Sequence, residues 1–225
     1  MLLSNNSAIY RGFKHKKKKQ NMNPFLTICI ATLPERKSSF DRLCSELYKQ
    51  RNEIPNGMNL IQIITDDAER GAKTIGAKSN DMIKKAKGKY ILRIDDDDMP
   101  SKHYLHLLLE AIAQNDVDII TFNMDYYIDD KYNKTWVVNR FIGNDWSSKH
   151  WAINYNPTHR FTVDRIFYHL MAVKRELAEQ VGFINANNAE DVSYSDDLIP
   201  LIKTEFHIDH TLLNIFFSST KTQNA

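Results

Sequence analysis

The sequence predicts an α/β fold in which helices cover both faces of a mostly parallel central sheet. Apolar, β-branched runs alternate four times with segments whose apolar residues recur at helical spacing, a pattern typical of parallel strands joined by crossover helices. Residues 25–31, FLTICIA, form a continuous run typical of a central strand buried on both faces. Further strands are predicted over residues 60–65, around Ile91, Leu92 and Ile94, and over residues 117–122.

The first three helices are each predicted from apolar residues that share one face. The first helix carries Phe40, Leu43, Cys44, Leu47 and Tyr48, the second carries Ile75, Met82, Ile83 and Ala86, and the third carries Tyr104, Leu105, Leu108 and Ile112. Gly88 is expected to end the second helix, because glycine readily adopts the backbone conformation that terminates a helix.

The second half of the sequence departs from this alternation. Residues 126–138 are predicted to form a hairpin that turns at Asp129 and Asp130, and residues 139–158 a loop over the site. The remaining segments are a predicted strand over residues 165–173, a helix from Lys174 that Gly182 ends, a helix near residues 195–203 and a final apolar segment over residues 211–217.

We expect a single domain over residues 24–217, because no linker-like segment divides it. Residues 1–23 form a basic tail that is expected to be mobile, and residues 218–225 a short carboxyl-terminal tail. The run KHKKKK at residues 14–19 could hold nucleic acid or an anionic membrane surface, although a solvated tail is the simpler interpretation. The formal net charge of +2 excludes a polyanion binder that acts through bulk charge.

Cysteine usage and hydropathy predict the compartment. Cys29 and Cys44 are too few for a secreted disulfide framework and lack metal-ligand spacing, which indicates a reducing, cytoplasmic setting. The longest apolar run, residues 25–33, is far shorter than the ~20 residues that span a bilayer, so no transmembrane segment is expected.

Four consecutive aspartates, residues 95–98, follow the third predicted strand and are the centre of the predicted site. By the alternation of a strand, Asp95 and Asp97 leave on one side while Asp96 and Asp98 leave on the other. Like charges about 4 Å apart repel by about 4 kcal/mol at an effective dielectric of 20, so a cation is expected beside them. Open α/β sheets bind ligands at the carboxyl ends of their strands. The stretch therefore predicts a site for a hard metal ion and phosphate.

In their order along the chain, five motifs resemble family 2 glycosyltransferases with the GT-A fold. They are ICIATLPER, ITDD, TIGAKSNDMIKKAKGKYILRIDDDD, HLMAVKRELAEQVGF and AEDVSYS. The resemblance implies transfer of a sugar, usually with inversion, from a nucleotide sugar (a UDP-sugar is the expected donor) to a hydroxyl acceptor. It implies Mn²⁺ or Mg²⁺ as cofactor, a donor-binding half over residues 24–125 and an acceptor-binding half over residues 126–217.

The resemblance also assigns site residues. Thr32 and Glu35 match positions that touch the nucleotide, Asp66 matches the aspartate that contacts the base edge, and Asn80 matches a further donor-binding position. Asp95, Asp96 and Asp97 cover the DxD motif, with Asp97 as the direct metal ligand, and Asp191 matches the catalytic base. Two positions depart from the family pattern: Ser79 stands where many relatives have arginine, and Ala172 replaces a common proline.

Elementary chemistry supports these roles. A leaving diphosphate gains negative charge that a metal ion on oxygen ligands stabilises, and Mg²⁺ needs only one or two protein carboxylates beside phosphates. The acceptor hydroxyl must lose a proton, a task for a carboxylate such as Asp191, which could alternatively cap the following helix. Weaker candidates are His169, His207, Asp209 and His210 as possible ligands, Lys174 and Arg175 toward phosphate, and Trp146, Trp151 and Tyr155 for stacking.

Three alternatives stay open at this point. A nucleotidyltransferase also places aspartates at strand ends, but the sequence lacks a glycine-rich phosphate loop near the first strand. A noncatalytic acidic or nucleic-acid-binding module has only the basic tail in its favour. The third alternative keeps the glycosyl transfer but makes the acceptor modified, hydroxymethylated DNA, as in virus-encoded enzymes that resemble this family.

Overall fold

The computed structural model describes residues 24–138, 153–156, 160–165 and 169–217. The strands are β1 (Leu26–Ala31), β2 (Ile61–Asp66), β3 (Tyr90–Arg93), β4 (Met99–Pro100), β5 (Ile119–Ile128), β6 (Lys131–Val138), β7 (Ile153–Asn156), β8 (Arg160–Arg165), β9 (Ala172–Lys174) and β10 (Glu205–Phe217). The helices are α1 (Lys37–Glu53), α2 (Gly57–Leu60), α3 (Ile75–Lys85), α4 (Tyr104–Gln114), α5 (Arg175–Val181) and α6 (Glu190–Leu198), and a 3₁₀ turn covers Pro34–Arg36.

The strands form one mixed sheet in the order β2-β1-β3-β9-β5-β6-β8-β7, with β10 beside β5 and β4. The predicted parallel arrangement holds for β1, which pairs in parallel with β2 and β3. The carboxyl-terminal half departs from it, because β9 is antiparallel to both β3 and β5 and fills the space between them. The sheet is therefore mixed rather than mostly parallel.

The helices and central strands predicted for the amino-terminal half are confirmed, except that α3 ends at Lys85 rather than at Gly88, and they build one core. β3 is buried along its whole length and β1 up to its last residue, so both faces of this part of the sheet are covered. Leu43, Cys44 and Leu47 of α1 are buried, whereas Tyr48 at the edge of the same face is 40% exposed. The hydrophobic periodicity thus identifies the buried face of α1 correctly, but it also includes Tyr48, which is exposed.

The predicted hairpin is confirmed, and it is longer than expected. β5 pairs with β6 in antiparallel fashion, with Ile128 opposite Lys131. Asp129 and Asp130 form the turn and have positive φ angles of 48° and 62°. Aspartate tolerates this left-handed region better than most residues, and two such residues give the turn a twist that matches its strands.

Three predictions for the second half need correction. Residues 165–173 do not form one strand: β8 ends at Arg165, His169 and Leu170 lie in a turn, and β9 begins only at Ala172. The loop expected over residues 139–158 contains β7, while Trp146 and Trp151 lie outside the described residues, as do both tails. The helix expected near residues 195–203 begins earlier, at Glu190, and ends at Leu198.

The beginning of α3 is fixed to the segment that leads into α6. Thr74 caps α3 by accepting a hydrogen bond from the Ala77 amide, and its hydroxyl donates to Asn185 at 2.5 Å. The Gly76 amide donates to the Ala186 carbonyl at 3.1 Å. A Cβ atom on Gly76 would lie 1.8 Å from the Ile184 carbonyl oxygen, so only glycine allows this close approach.

The side chain of Asp98 is buried. It is 3% exposed and accepts a hydrogen bond from the Phe216 amide of β10. Its Oδ2 atom has no hydrogen-bond partner within the described part of the chain. Burial, together with the charges of Asp95 and Asp97, raises the pKa of Asp98 well above its usual value.

We expect Gly76→Ala to lower the free energy of unfolding by about 1–3 kcal/mol, because the added methyl group overpacks the contact between α3 and residues 184–186. Lys84→Ala is a matched control on the exposed side of α3 and should change stability by less than about 0.5 kcal/mol. Urea denaturation of both variants measures the difference. Equal stabilities would contradict the close packing at Gly76.

Asp98→Asn should remove a pH-dependent contribution to stability. Because the folded-state pKa of Asp98 is raised above the unfolded-state value, its contribution is fully present below the unfolded-state pKa and is lost as pH rises toward the folded-state pKa. The slope is at most about 1.4 kcal/mol per pH unit for one proton.

Urea denaturation at pH 5 and pH 8, with a chelator present, tests this expectation. The Asp98→Asn protein should gain stability relative to the wild type between pH 5 and pH 8. Asp130→Asn, at the exposed hairpin turn, is the control and should follow the wild type at both pH values. Parallel pH profiles for all three proteins would contradict a raised pKa at Asp98.

Candidate active site

A cleft of about 490 Å³ opens at the carboxyl ends of β1 and β3. It is lined by the end of β1 and the following turn, the loop before α3, the acidic turn after β3, His169 and the first residues of α6. Five of the site residues that the family resemblance assigns line this cleft: Thr32, Asp95, Asp96, Asp97 and Asp191. The crevice expected at the strand ends is therefore present, and it joins both halves of the chain.

The four aspartates divide into two pairs, as the sequence predicts. The side chains of Asp95 and Asp97 are 44% and 34% exposed, whereas Asp96 and Asp98 are both 3% exposed. The cause differs in part from the expected one, because β3 ends at Arg93 and the Asp98 amide donates to the Asp95 carbonyl in a turn. The turn leaves two carboxylates available to a ligand and buries the other two.

Asp96 is held by partners from the end of β1. The Thr32 hydroxyl donates to its Oδ2 atom at 2.5 Å, and Arg36 Nη2 lies 2.5 Å from its Oδ1 atom. The same Nη2 atom lies 2.7 Å from Asp97 Oδ2. Burial lowers the pKa of Arg36, but the charges of Asp97 and Asp96 outweigh this effect and raise it. The expected cation beside the acidic turn is thus supplied by the chain itself.

Asp95 is held by two further groups. His169 Nε2 lies 3.2 Å from Asp95 Oδ2, and Arg93 Nη2 lies 3.5 Å from Oδ1. Arg93 is 5% exposed, and its Nη1 atom donates to Glu190 at 3.0 Å and to the Ser79 hydroxyl at 3.2 Å. This guanidinium therefore connects the acidic turn after β3 with the first residue of α6.

Asp191 lies in the first turn of α6 and faces the same cleft. Its Oδ2 atom is 3.9 Å from His169 Nδ1, and its side chain is 29% exposed. The alternative that Asp191 caps the helix is wrong, because the N-cap position belongs to Ala189, which has a φ of 60°. His169 thus stands between Asp95 and Asp191, the two carboxylates expected to serve the donor and the acceptor.

Asp66 and Glu35 are not in the cleft lining, but each forms an ion pair with a basic residue that is. Lys73 donates to Asp66 Oδ2 at 3.0 Å, and Arg70 donates to Glu35 at 3.0 Å. Lys73 and Arg70 both line the cleft. Burial alone would raise the pKa of Asp66. The hydrogen bond from the Ala68 amide and the contact with Lys73 outweigh burial, so the pKa is lowered. A ligand that contacts either acid must displace or share these basic side chains.

Asn80 is not brought together with the other predicted residues. Its amide nitrogen donates to the Phe183 carbonyl at 2.7 Å, and its amide oxygen accepts from the Phe183 amide at 2.8 Å. Both polar atoms are used in attaching α3 to the end of α5, and Asn80 is absent from the cleft lining. The structure therefore gives Asn80 a role in packing.

Among the weaker candidates, His207, Asp209, His210, Lys174 and Arg175 also lie outside the cleft lining. His207 contacts the Thr121 hydroxyl, Asp209 accepts a hydrogen bond from Asn123, Lys174 pairs with Asp116 and Asp118, and Arg175 donates to the Gly88 carbonyl. Each of these contacts joins neighbouring strands or loops. His169 is the one of these candidates that the cleft includes.

Three basic residues at this site, Arg36, Arg93 and Lys78, have no role predicted from the sequence. Lys78 is 2% exposed and donates to the carbonyls of Thr32 and Ala68 at 2.6 and 2.5 Å, and burial lowers its pKa. A charge-balance argument could have found them, since buried carboxylates need nearby cations. The motif LPER places Arg36 just after the end of β1, and the motif LRIDDDD places Arg93 two residues before the first aspartate.

The acidic turn offers a divalent metal ion one carboxylate ligand, Asp97, that is partly exposed to the cleft. Asp97 offers a partly exposed carboxylate, the hard oxygen ligand that Mg²⁺ and Mn²⁺ prefer. Within the described ranges, no group of three or more His, Cys, Asp or Glu side chains is placed to enclose a metal ion. The residues therefore suit an ion that takes its remaining ligands from phosphate and water.

The sequence of this chain matches the family model described as Glycosyl transferase family 2 over residues 62–182, more than half of its length. No curated protein matches it at a significant level. Within the described regions, none of the helices has the length and apolar character needed to cross a membrane.

Solved structures of Staphylococcus aureus TarS share the fold. The structure of residues 1–349 described as a complex with UDP-GlcNAc has a TM-score of 0.60 and 12% identity, over 88% of this chain and 59% of that chain. The corresponding complex with UDP has a TM-score of 0.54 and 12% identity, over 86% of this chain and 60% of that chain. This chain thus spans about three fifths of those structures. The architecture is the GT-A fold, and the chain belongs to glycosyl transferase family 2.

Proposed function

We propose that this protein is a glycosyltransferase that moves a sugar from a nucleotide sugar to a hydroxyl acceptor with inversion. The observation that carries the proposal is that Asp95, Asp97 and Asp191 line a single cleft, with His169 between Asp95 and Asp191. The first two carboxylates suit a metal-bound diphosphate, and the third suits an acceptor proton. The family match supports this assignment over a nucleotidyltransferase.

The nucleotide occupies the part of the cleft near β1 and β2. This end offers the hydroxyl group of Thr32, the carboxylate and guanidinium of the Glu35–Arg70 pair, and the carboxylate and ammonium of the Asp66–Lys73 pair. Such groups bind the polar edge of a base and the ribose hydroxyls. We propose UDP as the nucleotide, because TarS structures described with UDP-GlcNAc and UDP share the fold.

The diphosphate lies over the acidic turn. A divalent cation held by Asp97, with Asp95 beside it, would supply Lewis-acid stabilisation of the leaving diphosphate. Three arginines contact the acidic turn: Arg36 at Asp96 and Asp97, Arg42 at the Asp97 carbonyl and Arg93 at Asp95. Arg36 lines the cleft with one third of its side chain exposed. Thr32 and Arg36 keep Asp96 in place, so Asp96 supports the turn rather than contacting the donor directly.

The transfer step follows from the position of Asp191. The acceptor hydroxyl gives its proton to the Asp191 carboxylate while its oxygen forms a bond to the anomeric carbon of the sugar. The bond from that carbon to the diphosphate oxygen breaks, and its electron pair leaves with the diphosphate. Attack from the face opposite the leaving group inverts the anomeric configuration. A glycan hydroxyl and a hydroxymethyl group of modified DNA are both acceptors for this chemistry.

Asp97→Ala should remove the metal-dependent part of UDP binding, because the direct carboxylate ligand is lost. We expect titration calorimetry to show that Mn²⁺ strengthens UDP binding to the wild type and has almost no effect on the variant. Asp41→Ala, on the exposed side of α1, is the control and should retain the full metal effect. Unchanged metal dependence in the Asp97→Ala protein would exclude Asp97 as the ligand.

Asp191→Asn should slow the release of UDP from a UDP-sugar by about 100-fold to 10,000-fold, the usual contribution of a general base. The affinity for UDP should stay nearly level, because the base acts on the acceptor proton. Asp197→Asn, an exposed position on the same helix, is the matched control and should retain the wild-type rate. A wild-type rate in the Asp191→Asn protein would show that another residue accepts the proton.

A further inference from the structure

Arg36 contacts the carboxylate that is proposed to hold the metal ion. A single atom, Nη2, contacts carboxylate oxygens of both Asp96 and Asp97, at 2.5 and 2.7 Å. A divalent cation that binds Asp97 through Oδ2 approaches the same atom that this guanidinium nitrogen contacts. Metal and Arg36 therefore compete for Asp97, whereas Thr32 keeps a second hold on Asp96.

The Arg36 side chain can move away from Asp97 without disturbing the core. It ends the short 3₁₀ turn Pro34–Arg36, lines the cleft and is one third exposed, so that its side chain has room to turn toward a ligand. Arg93, in contrast, is 5% exposed and is bound to Glu190 and Ser79. Of these two arginines, only Arg36 can exchange partners by moving its side chain alone.

A diphosphate offers Arg36 a new partner in the same cleft. Guanidinium groups bind phosphate through paired, charge-assisted hydrogen bonds, which are stronger than contacts between neutral groups. Metal binding without a nucleotide would separate Arg36 from Asp97 and leave the guanidinium with one of its two carboxylate partners, Asp96. Metal binding together with a diphosphate gives both cations an anionic partner.

We propose that Arg36 is the resident counter-ion of Asp97 and that it transfers to the donor diphosphate when the metal ion binds. The inference rests on the proposed function, because it takes a nucleoside diphosphate as the ligand. It makes metal and nucleotide binding cooperative, and the coupling is reciprocal, since each ligand tightens the other by the same factor. The metal ion then enters with the donor and stays weakly bound in its absence.

Titration calorimetry with Mn²⁺, in the absence and presence of saturating UDP, tests this coupling on the full chain. In the wild type, UDP should tighten Mn²⁺ binding at least tenfold, within the usual range of coupling between sites. Arg36→Gln should bind Mn²⁺ alone at least tenfold more tightly than the wild type, because no guanidinium has to be displaced. Its coupling factor should fall at least tenfold.

Two further variants separate the role of Arg36 from a general charge effect. Arg51→Gln removes a guanidinium about 22 Å along α1, at 1.5 Å per residue, and should match the wild type in both titrations. Arg36→Lys keeps the charge and should preserve the coupling within about threefold. Because Gln retains an N–H donor for Asp96, the Arg36→Gln protein is expected to fold, and its melting temperature verifies this.

The outcomes distinguish this inference from the proposed function. If Arg36→Gln binds UDP but shows wild-type affinity for Mn²⁺ alone and unchanged coupling, Arg36 is not the counter-ion, while the function stands. The same conclusion follows if Arg51→Gln changes the coupling as much as Arg36→Gln. If the wild type binds neither UDP nor a UDP-sugar, the proposed function is overturned and the coupling with it.

Discussion

Charge compensation at the end of β3 is the constraint on which the site depends. Four carboxylates in sequence would repel one another strongly, and two of them are buried where water cannot screen them. Arg36 lies beside Asp96 and Asp97, Arg93 lies beside Asp95, and His169 is within hydrogen-bonding distance of Asp95. These groups come from three separate regions of the sequence, so the acidic turn forms only when the surrounding fold is complete.

This compensation also fixes the two sides of the cleft relative to each other. Arg93 bonds to Glu190 at the start of α6 and lies beside Asp95, while the adjacent residue Asp191 faces the cleft. Glu190 and Arg93 are both at most 5% exposed, and breaking a buried pair by removing one partner typically costs 3–5 kcal/mol. The arrangement is therefore stiff, which favours catalysis that relies on placing groups in advance.

The sequence predicts the amino-terminal half of the fold well because its strands and helices are set by local periodicity. It misplaces β9 and the start of α6 because those boundaries depend on partners far away in sequence, such as β3 and the segment at Gly76. For the site, the order of the motifs predicts that Asp95, Asp97 and Asp191 act together, and all three line one cleft. The position of Asn80 could not be predicted, since its bonds to Phe183 arise only from tertiary packing.

The position of β9 has a consequence for the order in which the protein can form during synthesis. The strand that lies between β3 and β5, Ala172–Lys174, is made about 80 residues after the end of β3 and about 45 residues after the end of β5. Until then, both strands present unpaired edges, which are sites where chains associate. The nascent amino-terminal half therefore depends on protection from other chains during the interval before β9 arrives.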